Sequence, residues 1–134
     1  MRNVQKLIIH CSATPPTMDI GAKEIDEWHK ERGWNGIGYH YVIRRNGKIE
    51  AGRSELLTGA HAKGFNRLSI GICLIGGDNE ADFTMAQYLS LYSLKGRLSK
   101  KYDSPEVLGH RDLPGVDKEC PCFDVKAFFD KGDV

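Results

Sequence analysis

The chain has 134 residues, which is the size of one ordinary domain and too short for two. Nineteen Lys and Arg residues stand against 18 Asp and Glu residues, so the net charge is +1 with neutral histidines. This balance gives no broad basic field for nucleic acid, and no apolar run is long enough to span a bilayer. We therefore expect a single domain over residues 1–134, with no nucleic-acid partner and no membrane insertion.

The N-terminal segment and the cysteines indicate the compartment in which the chain folds. The segment MRNVQKLIIHC has no small-residue cleavage site, so it does not read as a secretory signal. A chain without an export signal folds in the reducing cytoplasm, where disulfides are rare. We therefore expect free or metal-bound thiols at all four cysteine positions, which are Cys11, Cys73, Cys120 and Cys122.

The first third of the chain predicts a strand followed by a helix. The apolar, β-branched run at 6–11 is typical of a central strand. Apolar positions then recur every three or four residues over 22–32, and Gly33 follows as a stop signal. This spacing predicts an amphipathic helix with Trp28 facing the core and His29 at its boundary.

A hairpin is predicted next, because Asn46-Gly47 separates two extended runs at 39–45 and 48–53. Alternation along the first run places Tyr39 and Tyr41 on one face and His40 on the other. A phenol can orient water or exchange a proton at a catalytic site. From the residues alone, a packing role for these tyrosines is the simpler interpretation.

The rest of the chain predicts a loop and four further elements. His61 lies in a glycine-flanked part of a loop at 54–67, where it is either a binding group or an exposed histidine. Thr84 and Gln87 form a capping box that opens a long helix. This long helix runs to about residue 100. The other three elements are a strand at 69–75, a strand at 106–109 and a last helix capped by Asp124. This alternation predicts an α/β fold, with a central mixed sheet flanked by helices.

Three residues could form a metal site. His10 ends the first predicted strand, His110 follows the last strand, and Cys120 comes ten residues later. Two imidazoles and one thiolate leave the fourth position of zinc open for water, which is typical of a catalytic site. Because 100 residues separate the histidines, only the fold can assemble such a site.

Side chains alternate between two faces along an extended chain, and this alternation narrows the choice of metal ligands. Cys11 must point away from His10, so it is a poor co-ligand. Lys118 shares a side with Cys120 if the chain between them is extended, and it is then either an oxyanion-stabilising group or a solvated surface lysine. The same rule does not separate Cys120 from Cys122 as the third ligand.

Six ordered motifs resemble the zinc-dependent N-acetylmuramoyl-L-alanine amidases of type 2, from Ile8 to about Lys131. They are HCSAT at 10–14, EWHKERGW at 27–34, GYHYVIRRNGKIEAGR at 38–53, GAHAKGFN at 59–66, SIGICLIGG at 69–77 and HRDLPGVDKECPCFD at 110–124. The resemblance implies a mixed sheet with packed helices. It also implies zinc as the cofactor, with a set of site residues that comprises the ligands His10, His110 and Cys120, the catalytic Tyr39 and Lys118, and the substrate-groove histidine His61. Cys120 is favoured over Cys122 because the matching motif is K-x-C-P.

By this resemblance the chain is expected to hydrolyse the bond between N-acetylmuramic acid and L-alanine in peptidoglycan, as a monomer. It is expected to stay in the cytoplasm until lysis releases it to the cell wall. One alternative is a recognition module without catalysis, but such relatives lack the metal-binding cysteine that Cys120 provides. Another is a polymerase-binding regulator, since a phage member of the family inhibits an RNA polymerase with the help of an N-terminal tail. That tail is longer than the segment before His10, so this second function is not carried over.

Overall fold

A five-stranded mixed sheet forms the centre of the molecule. The computed structural model describes residues 2–78 and 82–132. The elements in chain order are β1 (Lys6–Cys11), α1 (Ala22–Glu31), β2 (Tyr41–Ile43), β3 (Ile49–Ala51), β4 (Ser69–Leu74), α2 (Met85–Lys101), β5 (Glu106–Gly109) and α3 (Val125–Gly132). The strand order is β3-β2-β4-β1-β5, and only β3 is antiparallel to its neighbour. The predicted fold class is confirmed.

The two faces of the sheet are covered by different elements. Leu7 and Ile9 of β1 pack with apolar side chains of α2 and α3 on one face. On the other face, Ile8 packs against Ala62 of the loop between β3 and β4, and a separate cluster around Ile25 anchors α1. His10 alternates with Leu7 and Ile9, so its ring lies on the face that carries this loop and α1.

The long helix α2 begins where the sequence predicts it. The Thr84 hydroxyl accepts a hydrogen bond from the backbone N–H of Gln87 at 3.1 Å, and the Gln87 side-chain oxygen accepts one from the backbone N–H of Thr84 at 3.0 Å. This reciprocal pair is the predicted capping box. No helix in the described part of the chain is both long and apolar enough to cross a membrane.

The predicted hairpin is present, but its strands are shorter and its turn is different. Gly47 has a φ of +89°, and it alone of the two predicted turn residues adopts a left-handed conformation. The Arg44 N–H donates to the Lys48 carbonyl at 2.9 Å, so the turn holds three residues instead of two. The predicted shared face of Tyr39 and Tyr41 is wrong, because they pack in different clusters on opposite sides of the sheet. The period of two does not apply before the strand begins at Tyr41.

The orientation predicted for α1 is also wrong. Trp28 is 36% exposed, whereas His29 is only 6% exposed. The buried positions of this short helix are Ile25 and His29, which are four residues apart and share one face. Nδ1 of His29 accepts a hydrogen bond from the Gly38 N–H at 2.9 Å, which satisfies the buried ring and ties α1 to the chain before β2.

Candidate active site

The C-terminal ends of β1 and β5 bring three potential metal ligands together. The two strands are parallel neighbours, so His10 near the end of β1 lies beside His110, which directly follows β5. Their ring centroids are 4.5 Å apart. Cys120 joins them because its Sγ accepts a hydrogen bond from the backbone N–H of Cys11 at 3.0 Å. One ligand atom from each of His10, His110 and Cys120 lies within 4.8 Å of the others.

The local backbone separates Cys120 from Cys122. Cys122 has a φ of +74°, so the chain is not extended there and the two thiols do not share a face. Cys122 Sγ lies 3.5 Å from the Gly77 carbonyl oxygen. Cys122 is therefore not part of the ligand group in the described residues. All four cysteines are free thiols in this structure.

These three side chains lie in an open cleft of about 480 Å³. Tyr39, His61 and Lys118 line the same cleft. Its cationic lining residues also include Arg32 and Lys63, and none of the described residues that line it is Asp or Glu. The cleft therefore presents positive charge, which favours a ligand that carries carboxylates.

Tyr39 and Lys118 approach the ligand group in different ways. The Tyr39 ring lies 5.1 Å from the His10 ring, centroid to centroid, and is half-buried. Lys118 is exposed and forms no ion pair with any residue that the structure describes. Its ammonium group is therefore available to a negative charge that develops in the cleft.

Burial sets the protonation states at the site. It lowers the pKa of His10 well below the usual range, and electrostatic repulsion from His61, His110 and Lys118 acts in the same direction. Burial, followed by the charge of Lys118, also lowers the pKa of His110. Burial raises the pKa of Tyr39 well above its usual value. Near neutral pH, the imidazoles thus keep lone pairs for a metal and the phenol keeps its proton.

His61 is held more tightly than a free loop histidine. Its Nδ1 lies 2.8 Å from Nε2 of His10, and burial lowers its pKa to about 3. The ring packs against the backbone of Gly71, where an added Cβ would lie 2.6 Å from the His61 Cγ. The structure thus places His61 directly against a candidate metal ligand.

Sequence reasoning missed two cleft residues that follow from the packing of α1. His29 and Trp34 line the cleft, and their rings are 4.6 Å apart. The helical pattern predicts His29 only as a boundary residue. The available signal was the helix stop at Gly33, which turns the chain so that the Trp34 ring packs at a tilt against His29 in the last turn of α1.

Comparisons with known proteins show the family of the chain. The Amidase_2 family, described as N-acetylmuramoyl-L-alanine amidase, matches residues 1–123. The chain belongs to this amidase family. It is 45% identical over 135 residues to the endolysin of Enterobacteria phage T3, covering 97% of this chain and 88% of that protein. The chain is therefore an enzyme, an N-acetylmuramoyl-L-alanine amidase, as the motifs predicted.

Solved structures extend the likeness to the whole fold. The amidase LysC from Clostridium intestinale URNW superposes with a TM-score of 0.87 at 35% identity, covering 99% of this chain and 87% of LysC. A variant of Drosophila PGRP-LB in complex with tracheal cytotoxin superposes with a TM-score of 0.81 at 29% identity, covering 95% of this amidase and 80% of that chain. The mixed sheet and its flanking helices are thus shared with amidases and with peptidoglycan recognition proteins.

Proposed function

We propose that this amidase cleaves the bond between N-acetylmuramic acid and L-alanine with a zinc ion held by His10, His110 and Cys120. The observation that carries the proposal is the approach of their three ligand atoms to within 4.8 Å in an open cleft. Imidazole and thiolate suit zinc, whereas magnesium and calcium prefer oxygen ligands. Three protein ligands also leave one position free, as catalytic zinc requires.

The residues around the ligands have separate roles in hydrolysis. When bound, zinc supplies Lewis acidity to the scissile carbonyl and to water. Lys118 stabilises the negative charge that builds on the carbonyl oxygen during attack, because its ammonium group faces the cleft without an ion-pair partner among the described residues. The protonated Tyr39 phenol orients the attacking water or passes a proton toward the departing amine nitrogen.

The charge of the cleft fits a peptidoglycan stem peptide. Such peptides carry free carboxylates, and Arg32, Lys63 and Lys118 line the cleft without any acidic neighbour among the described lining residues. The PGRP-LB variant that shares this fold is in complex with tracheal cytotoxin, which supports a muropeptide as the ligand here. We infer that the cationic rim guides the peptide toward the proposed zinc ligands.

Relatives of the chain include the endolysins of Enterobacteria phage T3 and Escherichia phage T7. This kinship supports an enzyme that stays in the cytoplasm until lysis brings it to the cell wall.

Removal of the metal tests the proposal. We expect about one zinc per chain, and a chelator should abolish release of peptides from cell walls while the protein stays folded. The fold should persist because none of the three ligands belongs to the buried clusters on the two faces of the sheet, and only Cys120 packs at the edge of one of them. Metal analysis, far-UV circular dichroism and recovery of activity with added zinc provide the measurements. Full activity of metal-free protein would refute a catalytic zinc, and global unfolding on chelation would make the metal structural.

A further inference from the structure

His61 links the proposed zinc ligand His10 to the backbone through a chain of hydrogen bonds. His61 Nδ1 lies 2.8 Å from His10 Nε2, and His61 Nε2 lies 3.2 Å from Ser69 Oγ. The Ser69 hydroxyl in turn donates to the Phe65 carbonyl oxygen at 2.8 Å. Both ring nitrogens of His61 are thus engaged by protein groups.

The direction of each bond follows from its fixed end. A carbonyl oxygen can only accept, and Ser69 Oγ lies closer to the Phe65 oxygen, at 2.8 Å, than to His61 Nε2, at 3.2 Å, so the single hydroxyl proton of Ser69 points to Phe65. Ser69 Oγ must then accept from Nε2–H of His61. A neutral imidazole has one N–H and one lone pair, so Nδ1 of His61 accepts from Nε2–H of His10. The lone pair of His10 is left on Nδ1, free for a metal.

The surroundings keep the His61 ring in place for this task. Oδ1 of Asn66 accepts the backbone N–H groups of both His61 and Ala62, each at 2.9 Å, which closes the loop beneath the ring. Gly71 lies directly against the ring and leaves no space for a side chain. The ring therefore has little freedom to rotate away from His10.

We propose that His61 is a positioning residue that fixes His10 in the tautomer whose Nδ1 binds the metal, with Ser69 setting the direction of the chain. This inference rests on the proposed zinc site, and it adds a positioning role to the place in the substrate groove that the resemblance implies for His61. The ring of His110 has no hydrogen-bond partner among the described residues, so the constraint acts on one ligand only. Loss of such an outer partner typically weakens metal affinity by about 10–100-fold.

Two substitutions at position 61 separate the acceptor from the bulk of the ring. His61→Leu removes both nitrogens, whereas His61→Asn keeps an oxygen close to the position of Nδ1 as an acceptor for His10. We expect zinc affinity, measured by competition with a chromophoric chelator, to fall about 10–100-fold in His61→Leu and to recover largely in His61→Asn. Circular dichroism of the metal-free variants checks that each is folded.

Nitrogen-15 NMR of the metal-free wild type gives a readout that does not depend on catalysis. In the wild type, we expect His10 to carry its proton on Nε2 and none on Nδ1. In Ser69→Ala, we expect a mixture of the two His10 tautomers. If His61→Leu does not fold, His61→Gln provides the comparison with His61→Asn. The longer glutamine side chain places its amide group near Ser69 and leaves no acceptor near His10. The zinc affinity of His61→Gln should therefore fall below that of His61→Asn.

The outcomes distinguish this inference from the proposed function. Zinc affinity of a folded His61→Leu equal to that of the wild type, or a His10 proton on Nδ1, would overturn the positioning role while the zinc site stands. A wild type that binds no zinc would overturn the proposed function, and the positioning role with it. Weak zinc binding in His61→Leu with recovery in His61→Asn would support both.

Discussion

Cys120→Ser should abolish both zinc binding and amidase activity. A serine hydroxyl keeps its proton near neutral pH and is a poor zinc ligand, so only His10 and His110 would remain. Removing a group that hydrogen-bonds a metal ligand typically weakens metal affinity by up to about 100-fold. The loss of zinc affinity in Cys120→Ser should be larger, because a ligand itself is removed. Zinc content after dialysis and release of peptides from purified cell walls measure the two effects.

Cys122→Ser is the matched control, because it makes the same chemical change two residues away. Cys122 Sγ lies beside the Gly77 carbonyl oxygen and outside the ligand group, so this variant should keep its zinc and most of its activity. The reverse pattern, with zinc lost in Cys122→Ser and retained in Cys120→Ser, would assign the third ligand to Cys122.

Lys118→Ala and Tyr39→Phe should each bind zinc normally and hydrolyse cell wall far more slowly. Removing an oxyanion-stabilising group lowers kcat by about 10²–10³-fold, and losing a general acid or base costs about 10²–10⁴-fold. Both roles act in the transition state, so the loss should fall mainly on kcat instead of KM. Steady-state kinetics on a soluble muropeptide, with zinc content measured in parallel, separates these quantities.

Controls for these two variants lie on the opposite side of the sheet. Lys126→Ala on α3 and Tyr92→Phe on α2 alter exposed residues that do not line the cleft, so they should retain wild-type rates. If Lys118→Ala and Tyr39→Phe also retain wild-type rates with full zinc occupancy, the roles assigned to Lys118 and Tyr39 are wrong.

Local patterns in the sequence determine most of the secondary structure. The run at 6–11 and the run at 106–109 form strands with the predicted bounds. The capping box at Thr84 opens α2 because its hydrogen bonds join residues only three apart. Alternation along β1 also places Cys11 opposite His10, because the period of two holds throughout a regular strand. The six motifs are specific enough to identify the amidase family from the sequence alone.

Long-range pairing and local backbone conformation decide the geometry of the site. No local rule brings His10 next to His110, and only the parallel pairing of β1 with β5 does so. The left-handed conformation at Cys122 turns this thiol away from the ligand group, which alternation in an extended chain could not predict.

The positions of the aromatic residues around the cleft also depend on tertiary structure. Tyr39 precedes the regular part of β2, so alternation did not predict its face. His29 is buried instead of Trp28 because the Gly38 N–H supplies its hydrogen bond from a different segment. His61 reaches His10 because Gly71 on β4 leaves room for its ring. Periodicity, caps and motifs are local, so the residues alone predict the elements, the family and the candidate site residues. Which of those residues meet depends on contacts between distant segments, and these contacts form only when the whole chain packs.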